Sequence, residues 1–353
     1  MKLVVLGIVG AAFVAAAAVS LQAQADPNVL WAYARSSPSK PGDKAAPQAA
    51  PNRNLRANED PQEQTRPRTV EGSTAKYSLV DVRDGHNVID WFPGDHPAMP
   101  AIIKNGPASL GETARGCGSC HLPNGKGRPE NAPPAGQPAA YTIQQLRDYR
   151  DGKRNSADVR KPNVPTMAAL ARAMSEEEMR QAAEYFAAMK WTPWIRVVEA
   201  DLIPEMHLEE GNMFIMAGKT PTDKLAGRIV EAPVDEFQAN GVRNPRSGWV
   251  AYVPVGSLAR GKALVTTGGG KTVACAPCHG ADLMGAADLP GIAGRSPSYM
   301  MRQLWDMKVG ARNGLYAPIM KPVVDNLSAD ELRDVVAYLA SVAPPTPSPT
   351  SSR

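Results

Sequence analysis

Aromatic residues make up only 6% of this 353-residue chain, which has just four cysteines and five histidines. So few aromatics, set against 33 prolines and 30 glycines, argue against an aromatic-rich core and favour short helices joined by irregular loops. There is no Lys/Arg block and no basic patch interleaved with aromatics. The formal net charge is only +4, so nothing points to nucleic acid. Beyond the first 25 residues no stretch is long and apolar enough to span a bilayer. The cysteines do not form a disulfide framework either, because all four fall into two short motifs.

Those motifs are Cys117-Gly118-Ser119-Cys120-His121 and Cys275-Ala276-Pro277-Cys278-His279. C-x-x-C-H is the attachment signature of c-type haem. Two thiols on one side of a helical turn form thioethers with the porphyrin, and the adjacent imidazole meets the iron. Half of a zinc site would place its other half closer than the 158 residues that separate Cys117 from Cys275. A thioredoxin-like pair would need a βαβ setting, which neither copy has. Two covalent haem c groups are therefore expected, and their four propionates make the loaded protein less basic than its sequence.

The N-terminus reads as an export signal. Lys2 precedes the apolar run Leu3 to Val19, and Ala23-Gln24-Ala25 forms a cleavage-type site. A periplasmic location follows, with contact to a membrane only if residues 1–25 stay uncleaved. Residues 26–75, rich in Ala, Pro and mixed charge, read as an extended or disordered arm in which Trp31 and Tyr33 merely sit near the cleavage site. Order is expected from Tyr77 to Val82 onward, with Asp90-Trp91-Phe92-Pro93 packing on a first domain, 76–191. Residues 192–255 carry short β-prone runs and read as small hairpins between domains. A second domain spans 256–343, and the Pro/Ser tail 344–353 reads as disordered.

The two domains are copies of each other. At an offset of 158, the motif residues coincide, Gly136 falls on Gly294, Tyr141 on Tyr299, Gln145 on Gln303, Asp148 on Asp306 and Arg154 on Arg312. The second copy then loses five residues, and Met167 falls on Met320. Each copy reads as a short helix before the motif (near Pro100 to Lys104 and Ser257 to Val265) and a middle helix ending at Gly152 or Gly310. A last helix opens with a capping box, Ser175-x-x-Glu178 or Ser328-x-x-Glu331.

What fills the sixth position of each iron separates a carrier from a catalyst. Most of the 14 methionines are expected to be core fillers. Met167 and Met320 stand apart because they occupy equivalent repeat positions, 46 residues after His121 and 41 after His279. They are the candidate axial ligands opposite those histidines; Met174 is the nearest rival in the first copy. His86, His96 and His207 read as surface or loop histidines. Tyr141, Arg154, Tyr299 and Arg312 are candidate contacts to the propionates, with simple helix capping the competing reading. The chain near Pro133 and Pro290 is a candidate source of a carbonyl for each imidazole N–H.

With these residues in place, each copy resembles a class I cytochrome c domain. The chain resembles the tandem dihaem c-type cytochromes of bacterial periplasms over about residues 96–191 and 256–343. The resemblance implies a mainly α fold of two compact helical domains, each around a haem, and single-electron transfer between periplasmic donor and acceptor proteins rather than enzymatic catalysis. Two other readings stay open: a dihaem peroxidase-like enzyme using a lone histidine such as His207, and a cytochrome subunit of a periplasmic dehydrogenase or oxidase.

Overall fold

A computed structural model describes residues 26–35, 43–44, 55–209 and 213–343. The expected signal at 1–25 and tail at 344–353 lie outside these residues. Two helical units built on one plan are joined by a β insert. The leading extension contains α1 (Pro61–Thr65) and α2 (Leu79–Arg83). The first unit contains α3 (Ala101–Lys104), α4 (Gly118–His121), α5 (Ala139–Arg150), α6 (Asn163–Ala173) and α7 (Glu176–Ala187). The insert holds β1 (Ile195–Glu199), β2 (Leu202–Glu209), β3 (Met213–Lys224), β4 (Val230–Pro233) and β5 (Trp249–Val253). The second unit contains α8 (Ser257–Thr267), α9 (Ala276–His279), α10 (Pro297–Lys308), α11 (Ala317–Asp325) and α12 (Ala329–Ser341). A two-residue hairpin, β6 (Gly285–Ala286) with β7 (Leu289–Pro290), sits between α9 and α10.

Local chemistry sets the helix ends. Ser175 and Ser328 each accept from the backbone N–H three residues on, and Glu178 and Glu331 reach back to the cap N–H, so both boxes are complete. α5 and α10 stop two residues before Gly152 and Gly310, whose φ of +69° and +78° lie in the left-handed region. α8 crosses α12 so closely that a Cβ on Gly261 would fall 1.9 Å from the Asp334 carbonyl oxygen. Only glycine permits that approach. No helix among the described residues is long and apolar enough to cross a membrane.

The expected arm differs from its reading. Pro27–Tyr33 forms a 3₁₀ helix, started by Asp26 and Pro27, and Val29 to Tyr33 are buried in the core of the second unit beside α10 and α12. Five consecutive residues that are apolar or bear an apolar ring cover more surface packed there than they would in solvent. Tyr33 Oη donates to Asp306 Oδ1 at 2.6 Å, and Trp31 Nε1 donates to the Asn28 carbonyl at 2.9 Å. Order also starts before Tyr77, because α1 is capped by the Asp60 side chain.

The insert is more than hairpins. β2 and β3 do pair antiparallel, but β1 pairs in parallel with β5, and β4 adds antiparallel to β5. The chain thus leaves the first unit on β1 and enters the second on β5, side by side. Trp91 and Phe92 are buried, mainly among residues of the extension, and Trp91 Nε1 donates to the Val242 carbonyl of the insert at 2.8 Å. His96 is not a surface residue. Its side chain is 3% exposed and meets Asp90 Oδ1 at 3.2 Å and the Tyr185 hydroxyl of α7 at 3.0 Å.

The two units face each other across an approximate twofold. Arg154 and Arg312 form an antiparallel bridge; Asn155 N donates to the Ala311 carbonyl at 2.9 Å and Asn313 N to the Lys153 carbonyl at 2.8 Å. Asp306 lies beside this seam, accepting from Tyr33 Oη and, at 2.8 Å, from the Ala157 amide of the first unit. Burial pushes its carboxyl up to about 6 from the usual 3.8. A raised carboxyl favours the folded state fully below about pH 4, and that contribution is lost as pH rises through 6. Asp306→Asn keeps an acceptor without a charge. The variant should therefore gain on wild type, on the order of 3 kcal/mol between pH 4 and 7, in thermal or denaturant unfolding. A difference that does not change with pH would refute this.

Candidate haem-binding sites

α4 starts at Cys117 as its cap and ends on His121, so one turn carries every reactive group of the first motif; α9 does the same from Cys275 to His279. The chain then leaves each turn through a positive φ, +61° at Leu122 and +86° at Gly280. His121 Nδ1–H donates to the Ala132 carbonyl and His279 Nδ1–H to the Pro290 carbonyl, both at 2.7 Å and both eleven residues downstream. The expected source near Pro133 and Pro290 is thus one register in both copies, residue 132 in the first and 290 in the second. A carbonyl can only accept, so Nδ1 carries the proton and Nε2 is the nitrogen left for a metal. Burial lowers the pKa of both imidazoles, keeping them neutral. It raises that of the Cys117 and Cys275 thiols to about 12 and about 11.

Cys117, His121 and Met167 line one cleft, open to solvent on one side, with about 1110 Å³ of space between its walls and that opening. α6 brings Met167 there. Leu146, Ala182 and Phe186 supply apolar wall, while Tyr299, Arg302, Gln303 and Asp306 of α10 close it from the second unit. In the second copy, Cys275 and Met320 both pack against the core that holds α10 and α12. Met174 is buried in the first core and does not line the cleft. His207 lies on β2, and neither it nor His86 lines the cleft.

Tyr141, Arg154 and Tyr299 also line the cleft, but the structure pairs the four candidate propionate residues across the units. Arg154 Nη2 donates to Tyr299 Oη (3.1 Å) and Gln303 Oε1 (2.8 Å), and Arg312 Nη2 donates to Tyr141 Oη (2.9 Å) and Gln145 Oε1 (2.7 Å). The residues around the cleft suit an acidic, flat, apolar group. Besides these donors, Lys161 is 2% exposed and its Nζ has no hydrogen-bond partner, and burial holds its pKa well below the usual value. A buried, unpartnered cation is costly and is relieved by a carboxylate. Sequence reasoning missed Lys161 and Arg302, which have no repeat counterpart of like charge. Gln145, Gln303 and Asp306 were visible as matched pairs.

The motif faces differ in cover. Gly118 and Ser119 are buried, and Arg243 of the insert donates through Nη1 to the Ser119 carbonyl at 3.0 Å. At the equivalent positions of the second unit Ala276 is half-buried and Pro277 exposed, and the next residue, Cys278, is exposed as well.

The Cytochrome c family profile matches residues 105–190 and again 258–343. A thiosulfate dehydrogenase electron acceptor from Stutzerimonas stutzeri is 42% identical over 91 residues, 25% of this chain and 41% of that protein. The protein of the same name from Thiomonas intermedia is 24% identical over 250 residues, 69% of this chain and 87% of that one. Cytochrome c-554(548) from Halomonas halodenitrificans is 34% identical over 68 residues, 19% of this chain and 82% of its own. The match to the first of these spans about two fifths of that protein. The profile falls once on each copy of the internal repeat, so the chain belongs to the cytochrome c family as two such domains in tandem, which imply two covalently attached haem c groups.

Proposed function

We propose that this protein is an exported one-electron carrier, with the first haem held by Cys117, Cys120, His121 and Met167 and the second by Cys275, Cys278, His279 and Met320. The observation that carries this reading is the single cleft lined by Cys117, His121 and Met167. Haem supplies a one-electron couple at its iron. The protein's part is to hold that group still. The Ala132 and Pro290 carbonyls fix the imidazoles, Met167 and Met320 would be the second protein ligands, and Tyr141, Arg154, Tyr299, Arg312 and Lys161 would offer donors to the propionates. Because Tyr299 and Arg302 of the second unit line the first cleft, that unit helps hold its neighbour's group.

With Met167 and Met320 as second protein ligands, neither iron would keep a position for substrate, and this favours a carrier over an enzyme. A peroxidase-like site would need an open position with a polar residue beside it, and His207, on β2 of the insert, does not line the first cleft. The names of the relatives, electron acceptors of a thiosulfate dehydrogenase, support a dehydrogenase as electron donor in the periplasm. The covered first motif and the exposed Pro277-Cys278 face support exchange with partners through the second domain. Carbon monoxide added to the fully reduced protein tests the reading. Unchanged visible spectra are expected from two filled irons, and ready binding at either haem would overturn it.

A further inference from the structure

The residue after each turn glycine, Gln137 in one copy and Arg295 in the other, crosses to the opposite unit. Gln137 Nε2 donates to the Gly291 carbonyl at 2.9 Å, and Gly291 N donates to Gln137 Oε1 at 2.8 Å. Arg295 Nη1 donates to the carbonyls of Pro133 (2.6 Å) and Ala135 (2.9 Å). Gly291 directly follows the carbonyl that holds His279, and Pro133 directly follows the one that holds His121. Each loop that supplies a histidine's carbonyl is therefore gripped by a side chain from the other domain, a neutral amide at the second and a guanidinium at the first.

That guanidinium is unusually bare. Arg295 is 1% exposed, its Nε and Nη2 have no hydrogen-bond partner, and no ion pair to a carboxylate forms among the described residues. It lies 3.8 Å from the centre of the Trp191 ring, a contact that suits a cation. Burial pulls its pKa down to about 9, so the charge persists at neutral pH. A fixed positive charge in a poorly screened interior opposes adding another positive charge nearby, and oxidation of iron does that. The effect falls on the loop where the charge sits.

We propose that Arg295, supplied by the second domain, is a positioning residue that raises the reduction potential of the first haem relative to the second, with Gln137 as its neutral counterpart. The inference rests on the carrier reading, and it sets a direction for the split between two haems built from one repeat.

Redox titration of the haem-loaded protein tests it, with the two midpoints assigned through Met320→Ala, which moves only the second. Arg295→Gln should lower the first midpoint and leave the second in place, and Arg295→Lys should restore the first. Gln137→Lys, which brings a cation to the second loop, should raise the second midpoint. It provides a separate test if Arg295→Gln does not fold. Equal movement of both midpoints, no movement, or failure of lysine to restore the first would overturn the proposal. A change of spin state or carbon monoxide binding in the unsubstituted protein would instead count against the carrier reading.

Discussion

Replacing Met167 with alanine is expected to lower the midpoint of the first haem and open its reduced form to carbon monoxide, with the second haem unchanged; Met320→Ala is expected to do the converse. A thioether favours the reduced iron, and axial ligands command roughly 0.8 V of potential, so a sizeable part of that range should be lost. The change is local because the two methionines lie in separate helices, α6 and α11, against separate cores. Both side chains are only partly buried, so the folding cost should stay below the ~2–5 kcal/mol of a buried Met→Ala. Redox titration and carbon monoxide difference spectra read both effects. An unchanged midpoint in either variant would exclude that methionine as a ligand.

The second large effect concerns stability. Trp31→Ala should cost about 3–5 kcal/mol, the usual range for a buried large aromatic. Trp31 is 6% exposed in the core shared with Trp305, Leu332 and Val336. Its loss also loosens its neighbours Ala32, whose carbonyl accepts from Arg302 Nη1, and Tyr33, which donates to Asp306. The same Arg302 reaches the Pro129 carbonyl at 2.6 Å. The segment therefore bears on the seam between domains as well as on one core. Denaturant unfolding followed by second-haem absorbance should show the loss, and Trp31→Phe should retain most of the stability. A cost under ~1 kcal/mol would mean that the segment only rests on the surface.

What could be read from the chain alone divides along a physical line. Capping boxes, glycine stops and C-x-x-C-H turns depend on neighbours within a few residues, and they appear where the sequence places them. The burial of Val29 to Tyr33 is not legible in a stretch whose Ala, Pro and mixed-charge composition reads as an arm, because only distant helices give it a surface to cover. The parallel pairing of β1 with β5 needs partners about fifty residues apart, which a β-prone run does not encode. Tyr141, Arg154, Tyr299 and Arg312 were visible as matched pairs. A repeat aligns equivalent positions but does not say which copy they face, and their bonds run between copies. Arg295 carries no such signal, since its role depends on carbonyls in the other domain.

The most direct test of the two-haem carrier account is a potentiometric titration of the purified protein, followed in the visible and far-red. Two one-electron steps are expected, with the far-red band of methionine-ligated ferric haem present at both and lost in step with each reduction. A haem without that band, or a high-spin ferric spectrum in either domain, would contradict the account.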